Sequence, residues 1–149
     1  MEAHTRWIVV VGHRPLYASK KRDWPIFTDS YLKKWLEPLL HEYKVDIYIG
    51  GHIHFYERSY PVKNGKICDE KQKCVVFITN GAGGSNEGPN DHGANTNLVA
   101  AGVYNKDGYA VVTADQDTLN WQFIVTSQGT PYVGDLFELR KENHLQEKK

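Results

Sequence analysis

The chain has 149 residues, of which 40% are apolar and 12% aromatic, enough for one globular domain and too few for two of ordinary size. Lys plus Arg and Asp plus Glu number 18 each and are interspersed, so no basic face for nucleic acid is indicated. The longest strongly apolar run, residues 7–11, is far below the ~20 residues of a membrane span, and the first residues lack the pattern of a secretory signal. We expect one unit, residues 1–149, with neither nucleic acid nor membrane as partner.

The first third of the chain predicts a βαβ unit. A β-branched apolar run, 7–11, ends at Gly12 and is typical of a strand buried on both faces. A second run, 45–49, ends at Gly50 and Gly51. A helical segment lies between them, so the two strands should be parallel neighbours.

The helix should begin near Thr28 or Asp29, either of which can cap it. Its inward stripe is predicted to consist of Leu32, Leu36, Leu39 and Tyr43, with Lys33, Lys34, Glu37 and Glu42 outside. Pro38 lacks an amide donor, so we expect a kink or a break there.

The rest of the chain is β-rich. Asn64-Gly65 predicts a hairpin turn, and residues 74–79 a buried strand. A Gly- and Asn-rich loop, 80–93, is long enough to indicate a functional or mobile segment. The end of the chain, 108–140, predicts three strands at 108–114, 119–126 and 133–139.

Two cysteines, Cys68 and Cys74, follow the hairpin turn closely. A disulfide between them would indicate an oxidising compartment, and two unpaired thiols in a surface loop are the alternative.

Three histidines follow the two strands of the βαβ unit. His13 comes directly after Gly12, and His52 and His54 come after the double glycine. Ligands in open α/β sheets bind at the carboxyl ends of the strands, where both loops should meet. Neutral imidazole is a common ligand of zinc and iron, so the three rings together predict a metal site.

Two segments resemble the last two metal-ligand blocks of the calcineurin-like metallophosphoesterases: Val10-Val-Gly-His13-Arg-Pro-Leu-Tyr17 and Gly50-Gly-His52-Ile-His54-Phe-Tyr-Glu-Arg58. The Arg-Pro-Leu-Tyr and Tyr-Glu-Arg continuations are similar to those of purple acid phosphatases. The Gly-rich loop and the β-rich end resemble that family's C-terminal half. The resemblance implies an α/β fold, half of a β-sandwich flanked by helices.

The same resemblance implies an acid phosphatase that hydrolyses phosphate monoesters with Fe(III) and a divalent metal, Zn, Mn or Fe. It assigns His13 and His52, in loops 12–17 and 50–58, to the divalent ion and His54 to the iron. Such a metal pair clamps the ester and activates water for in-line attack on phosphorus.

The family's remaining ligands, including the bridging aspartate, have no counterpart in this sequence. Asp23, Asp29 and Asp46 are placed away from the histidine rim. We therefore expect the N-terminal half of the domain to be a necessary partner. The chain alone should hold at most one weakly bound metal and be inactive, with no catalytic residue of its own.

Weaker candidates surround the histidines. Glu57 and Arg58 are interpreted as an ion pair that orders the loop behind His54. The basic segment 20–22 could attract phosphate but is more simply a solvated loop, and His92 is most simply a surface residue.

Two other functions remain open: a non-catalytic remnant that binds a metal or a partner, and another metallophosphoesterase such as a nuclease. For a full-length parent phosphatase, the family implies a secreted or lysosomal location and glycoprotein character, although this chain contains no Asn-x-Ser/Thr acceptor.

Overall fold

The computed structural model describes residues 7–19, 30–69, 72–86, 97–127 and 129–141. These contain one helix and nine strands. They are β1 Val9–Val11, α1 Ser30–Glu42, β2 Ile47–Gly50, β3 Tyr56–Lys63, β4 Lys66–Ile67, β5 Val75–Asn80, β6 Val99–Val103, β7 Gly108–Ala114, β8 Thr118–Val125 and β9 Tyr132–Arg140.

The larger sheet has six strands in the order β1-β2-β5-β3-β4, and β6 also pairs with β3. β1, β2 and β5 are mutually parallel, whereas β3 runs antiparallel to β5, β4 and β6. The predicted parallel pairing of the first two strands is therefore confirmed. The Asn64-Gly65 hairpin is also confirmed, and both turn residues have positive φ, 51° and 74°.

The second sheet, β7-β8-β9, is antiparallel and packs on one face of the first. β8 supplies an unbroken inward row, as its alternating sequence predicts. The row consists of Leu119, Trp121, Phe123 and Val125, each no more than 2% exposed. From the larger sheet, Ile47, Val76 and Ile78 face this row, so the two sheets form a sandwich.

The opposite face of the larger sheet carries helix α1. Tyr48, Val75 and Phe77 alternate with the residues that face the second sheet, and they pack with Leu40 and Leu16. The central strands are thus buried on both faces. The α/β fold with a β-sandwich flanked by a helix is confirmed.

β1 departs from the prediction of a strand buried on both faces, which is wrong. Val9 is 42% and Val11 72% exposed. The reason is position, because among the described strands β1 lies at the end of the sheet and pairs only with β2.

Helix α1 buries a different stripe from the predicted one. Leu32 and Leu36 pack inward as expected, but Leu39 and Tyr43 are exposed and Leu40 is buried. Glu37, predicted to lie outside, is 4% exposed and lies near the centre of the buried face.

The buried carboxylate of Glu37 accepts hydrogen bonds from the Tyr17 hydroxyl and the Asn64 amide, both at 2.8 Å. Such donors make burial of a carboxylate tolerable. The helix also runs unbroken through Pro38, so of the predicted kink or break, the break is wrong. Pro38 lies on the exposed side, where water can satisfy the carbonyl left without a donor. The candidate capping residues lie outside the described residues.

Cys68 and Cys74 form a disulfide, with Cα atoms 6.4 Å apart. The predicted pairing is confirmed, and it joins the end of the β3–β4 hairpin to the start of β5. Within the described ranges, no helix is long and apolar enough to cross a membrane.

A partly buried ionic cluster joins the two sheets. Arg58 of β3 donates to both carboxylate oxygens of Asp135 of β9, at 2.7 and 2.9 Å, and Tyr56 donates to Asp135 at 2.7 Å. Burial raises the pKa of Asp135, but the hydrogen bonds from Arg58 and Tyr56 outweigh it and hold the pKa below its ordinary value.

We predict that Asp135→Asn lowers the free energy of unfolding by about 2 kcal/mol at pH 7, the scale of hydrogen bonds to a charged group. Because the folded-state pKa of Asp135 is depressed, its contribution is present above the unfolded pKa, about 3.9, and is lost as pH falls through the folded value. Urea unfolding at pH 7 and pH 3 should therefore show a smaller difference between wild type and variant at pH 3. An equal difference at both pH values would contradict the assignment.

Candidate metal site

Both histidine loops leave the same edge of the larger sheet. Gly12 and His13 directly follow β1, and His52 comes two residues after the last residue of the parallel neighbour β2. Parallel strands end on the same side, so a separation of 39 residues in sequence becomes a direct contact. The predicted meeting of these two loops is confirmed.

Gly50 allows the two loops to approach each other. A side chain at this position would place its Cβ 2.5 Å from Pro15 Cα and 2.7 Å from Pro15 N. These are steric clashes with the backbone, which cannot move aside as a flexible side chain could. The next amide, Gly51 N, donates to His13 O at 2.9 Å. The double glycine thus fastens the second histidine loop onto the backbone of the first.

The side chains of His13 and His52 form a pair. His13 Nε2 lies 3.1 Å from His52 Nδ1, and the rings meet edge to face with centroids 5.0 Å apart. His13 is exposed and His52 is half-buried. His52 has a φ of 65°, in the left-handed region that costs a residue with a side chain about 1 kcal/mol or more. Its ring is therefore directed at His13 by a strained backbone.

The separation of the two nitrogens suits a shared metal ion. Two nitrogens bound to one zinc ion at about 2.0 to 2.1 Å in tetrahedral geometry lie about 3.3 Å apart. The observed 3.1 Å is close to that value, and it also permits a direct hydrogen bond when one ring carries a proton between them. The pair fits two of the ligands of a single ion.

His54 lies in the same loop but does not complete a three-ligand cluster. Its neighbours Ile53 and Phe55 are buried and anchor the loop in the core. In the part of the chain that the structure describes, no three His, Cys, Asp or Glu side chains are grouped so that they could hold a metal ion. The expected convergence of three imidazoles on one point is therefore not found. The resemblance assigns His54 to a second ion, and that assignment stays a prediction.

The nearest candidate carboxylate on the adjacent strand is at the wrong end of the sheet. Asp46 precedes β2, accepts from Ile8 N at 2.8 Å and pairs with Lys141 at 2.5 Å. It cannot reach the histidines that follow the same strand, as the sequence indicates. The described residues thus do not fit a binuclear centre, because two close cations need anionic ligands between them.

Glu57 and Arg58 do not form the predicted ion pair. Neighbours on a strand point to opposite faces, so Arg58 faces the second sheet and Asp135, whereas Glu57 faces the other way. Glu57 accepts from Ser19 N at 2.8 Å and from the Tyr104 hydroxyl at 2.6 Å, and its carboxylate also contacts the Ser19 hydroxyl. The prediction of the pair is wrong, and a supporting role of either residue behind His54 remains a prediction.

Tyr17 is a residue near the site that the sequence analysis did not single out. Its hydroxyl donates to Glu37 and accepts from Gly65 N at 2.8 Å, and Lys33 Nζ lies 3.8 Å from its ring centroid. Burial, followed by the bond to Glu37, raises its pKa. The only signal in the sequence was its place at the end of the first histidine block.

Several weaker candidates lie outside the described residues. These are His92, the basic segment 20–22, Asp23 and Asp29.

Two family models match consecutive parts of the chain. Residues 1–56 match the calcineurin-like phosphoesterase model, and residues 75–135 match the model of iron/zinc purple acid phosphatase-like protein C. The first match contains the His13–His52 pair and the second contains β5 to β8.

Curated relatives carry acid phosphatase names. The chain is 31% identical to the acid phosphatase of Aspergillus ficuum over 95% of its own length and 25% of that protein. It is 36% identical to purple acid phosphatase 1 of Ipomoea batatas over 58% of its length and 20% of that protein. The chain therefore spans about a quarter of the length of the curated relatives it matches.

Solved structures share the fold. A purple acid phosphatase from yellow lupin seeds matches 90% of this chain and 25% of its own, with a TM-score of 0.75 and 24% identity. The Plasmodium protein GAP50, described as an anchor in the inner membrane complex, matches 91% of this chain with a TM-score of 0.69 and 24% identity.

The sandwich and the paired histidine loops define a calcineurin-like phosphoesterase domain. Within that class, the chain belongs to the purple acid phosphatase family.

We predict that His52→Gly leaves the free energy of unfolding within about 0.5 kcal/mol of the wild-type value, because the strain relieved at a φ of 65°, about 1 kcal/mol, offsets the entropic cost of glycine, about 0.5 to 1 kcal/mol. His54→Gly is the matched control: His54 has no positive φ, so glycine should destabilise the same loop by about 0.5 to 1 kcal/mol. Urea unfolding of the metal-free chain measures both. Destabilisation by both variants alike would show that the His52 backbone stores no strain.

Proposed function

We propose that this chain provides the histidine side of the metal centre of an acid phosphatase that hydrolyses phosphate monoesters. The observation that carries the proposal is the His13–His52 contact at the carboxyl edge of a parallel strand pair, with two nitrogens at a separation suited to one ion. The acid phosphatase names of the relatives support the reaction class.

His13 and His52 would bind a divalent metal, Zn, Mn or Fe, and His54 would bind Fe(III). When bound, such ions polarise the phosphate ester and lower the pKa of water that attacks phosphorus. The contribution of this chain is to hold the two rings at a fixed distance through the Gly51–His13 backbone bond and the strained φ of His52.

The carboxylate ligands would come from a segment corresponding to the remaining length of the relatives. Neutral imidazoles cannot offset the repulsion between two cations a few ångströms apart. Among the residues that the structure describes, no three His, Cys, Asp or Glu side chains are grouped so that they could hold a metal ion. We therefore propose that the other half of the domain is required, and that this chain alone holds at most one ion weakly.

The exposed outer valines of β1 are consistent with this requirement. Val9 and Val11 expose apolar surface at the end of the sheet, beside the histidine loop. Burial of this surface would contribute about 25 cal/mol per Å² to association with the other half. The Cys68–Cys74 disulfide further supports an oxidising compartment, secreted or lysosomal, for the parent protein.

A non-catalytic, metal-binding remnant is the second candidate function. It is favoured by one observation, the lack of any three-ligand cluster in the described ranges. The two candidates differ in whether acid phosphatase activity returns when the carboxylate ligands are supplied.

We predict that a chimera regains activity. The chain replaces the matching quarter of the Aspergillus ficuum acid phosphatase, to which it is 31% identical. The chimera should hydrolyse a chromogenic phosphate monoester at acidic pH, whereas the chain alone should not. His52→Ala in the chimera should lower kcat/KM by at least about 100-fold, since it removes a ligand.

Tyr43→Ala is the control, because Tyr43 is 65% exposed in the turn that follows α1 and has no role in the proposed site. It should leave the activity of the chimera unchanged. A folded, metal-loaded chimera without acid-range turnover would favour the non-catalytic remnant. Acid-range turnover by the chain alone, abolished by His52→Ala, would show that the required ligand set is smaller than proposed.

A further inference from the structure

The two histidine loops are joined at two places. At the near end, Gly51 N bonds to His13 O and the two imidazoles meet. At the far end, the first loop reaches Ser19 and the second reaches Glu57, where the backbone amide of Ser19 donates to the Glu57 carboxylate at 2.8 Å. These contacts bracket the histidine pair on both sides.

The Glu57 carboxylate is deeply buried. It is 3% exposed, and Ser19 is also 3% exposed. Its donors include the amide and hydroxyl of Ser19 and the hydroxyl of Tyr104, which follows β6. Burial, followed by the hydrogen bond to Glu57, raises the pKa of Tyr104, so Tyr104 remains a donor. A buried anion with three donors is costly to move, which makes it a rigid attachment point.

The far-end contact matters because His13 is exposed and its ring contacts His52 from one side. Its ring is exposed, so its position depends on the backbone of residues 13–19. That backbone is held by Tyr48, which donates to Arg14 O at 2.8 Å, and by Thr79, which donates to Tyr17 O at 3.2 Å. The hydrogen bond from Ser19 N to the charged Glu57 carboxylate directly connects the end of the first loop to the segment that follows the second.

We propose that Glu57 is a positioning residue that sets the distance between His13 Nε2 and His52 Nδ1, and through it the affinity of the pair for a divalent ion. The effect on the ion rests on the proposed function. The effect on the distance between the rings does not, because it concerns the metal-free chain.

The carboxylate is essential to this role. Glutamine has the same shape, but its amide has one acceptor oxygen and presents its NH₂ group to a donor. In Glu57→Gln, the amide oxygen can face Ser19 N only if the NH₂ group faces the Ser19 and Tyr104 hydroxyls, which must then rotate to accept. The charge that strengthens the bond from Ser19 N is lost in either orientation. Loss of a partner around a metal ligand typically costs about 10- to 100-fold in metal affinity.

The experiment compares Glu57→Gln with Glu37→Gln. Glu37 is a matched carboxylate: it is 4% exposed and accepts one tyrosine hydroxyl and one backbone amide, both at 2.8 Å. Glu37 accepts from the Tyr17 hydroxyl and from the amide of the turn residue Asn64, and not from the backbone of the histidine loop. Zn²⁺ titration of the 149-residue chain should show about 10- to 100-fold weaker binding for Glu57→Gln and a change within about twofold for Glu37→Gln.

A second readout needs no metal. The imidazole ¹⁵N signals of His13 and His52 report their hydrogen bond directly. Glu57→Gln should abolish the coupling between the rings and Glu37→Gln should keep it. Equal Zn²⁺ affinity and an intact ring contact in Glu57→Gln would overturn the proposal, as would equal losses in both variants.

Two milder variants keep the test decisive if Glu57→Gln does not fold. Tyr104→Phe removes one donor, and Ser19→Ala removes the hydroxyl but leaves the backbone bond. Each should weaken Zn²⁺ binding by several-fold, and wild-type affinity in both would overturn the proposal. If the wild-type chain alone binds no measurable Zn²⁺, the titration is made on the chimera, and the ring signals of the metal-free chain decide whether Glu57 positions the pair. The proposed function itself is decided separately, by the activity of the chimera.

Discussion

The parallel register of β1, β2 and β5 is the constraint on which the rest of the structure depends. Val9 pairs with Ile47, and Ile47 pairs with Val76, so the three strands end at one edge. β2 and β5 are held by packing on both faces, by the second sheet on one side and α1 on the other. The loops after β1 and β2 therefore begin side by side at this edge, and the histidines that they carry are in contact.

Charged groups inside the domain then fix details that apolar packing leaves open. Asp135 ties β9 to β3 through Arg58, and Glu37 ties α1 to the hairpin turn. Glu57 ties the loop that follows His13 to the strand that follows His54. Each carboxylate has backbone or side-chain donors that offset its burial. Of the three, Glu57 is the one bound to the backbone that follows His13.

Much of this architecture is predictable from sequence because it rests on local patterns. Alternation in β8, the Asn64-Gly65 turn and the Gly-terminated apolar runs each specify their element through the backbone or the core. The meeting of His13 and His52 follows from strand order alone. β6 was not predicted, since its Ala- and Gly-containing run, Val99–Val103, has little β-branched character.

The failures concern partners that are distant in the chain. The sequence predicts Glu37 to be a surface residue, because its partners Tyr17 and Asn64 are distant in the chain. It predicts Glu57 to pair with Arg58, because the actual partners Ser19 and Tyr104 are also distant. Val9 and Val11 are predicted to be buried, because the sequence of a strand does not show how many neighbouring strands it pairs with. His54 likewise cannot be placed toward His13 from spacing in the loop.

A crystal structure of the chain soaked with Zn²⁺, with anomalous data at the zinc edge, tests the central claim most directly. The account predicts one ion bound by His13 Nε2 and His52 Nδ1, at about 2.0 to 2.1 Å from each, with those two atoms otherwise little moved from their 3.1 Å separation. An ion held elsewhere, or two ions bound without any added carboxylate segment, would contradict it.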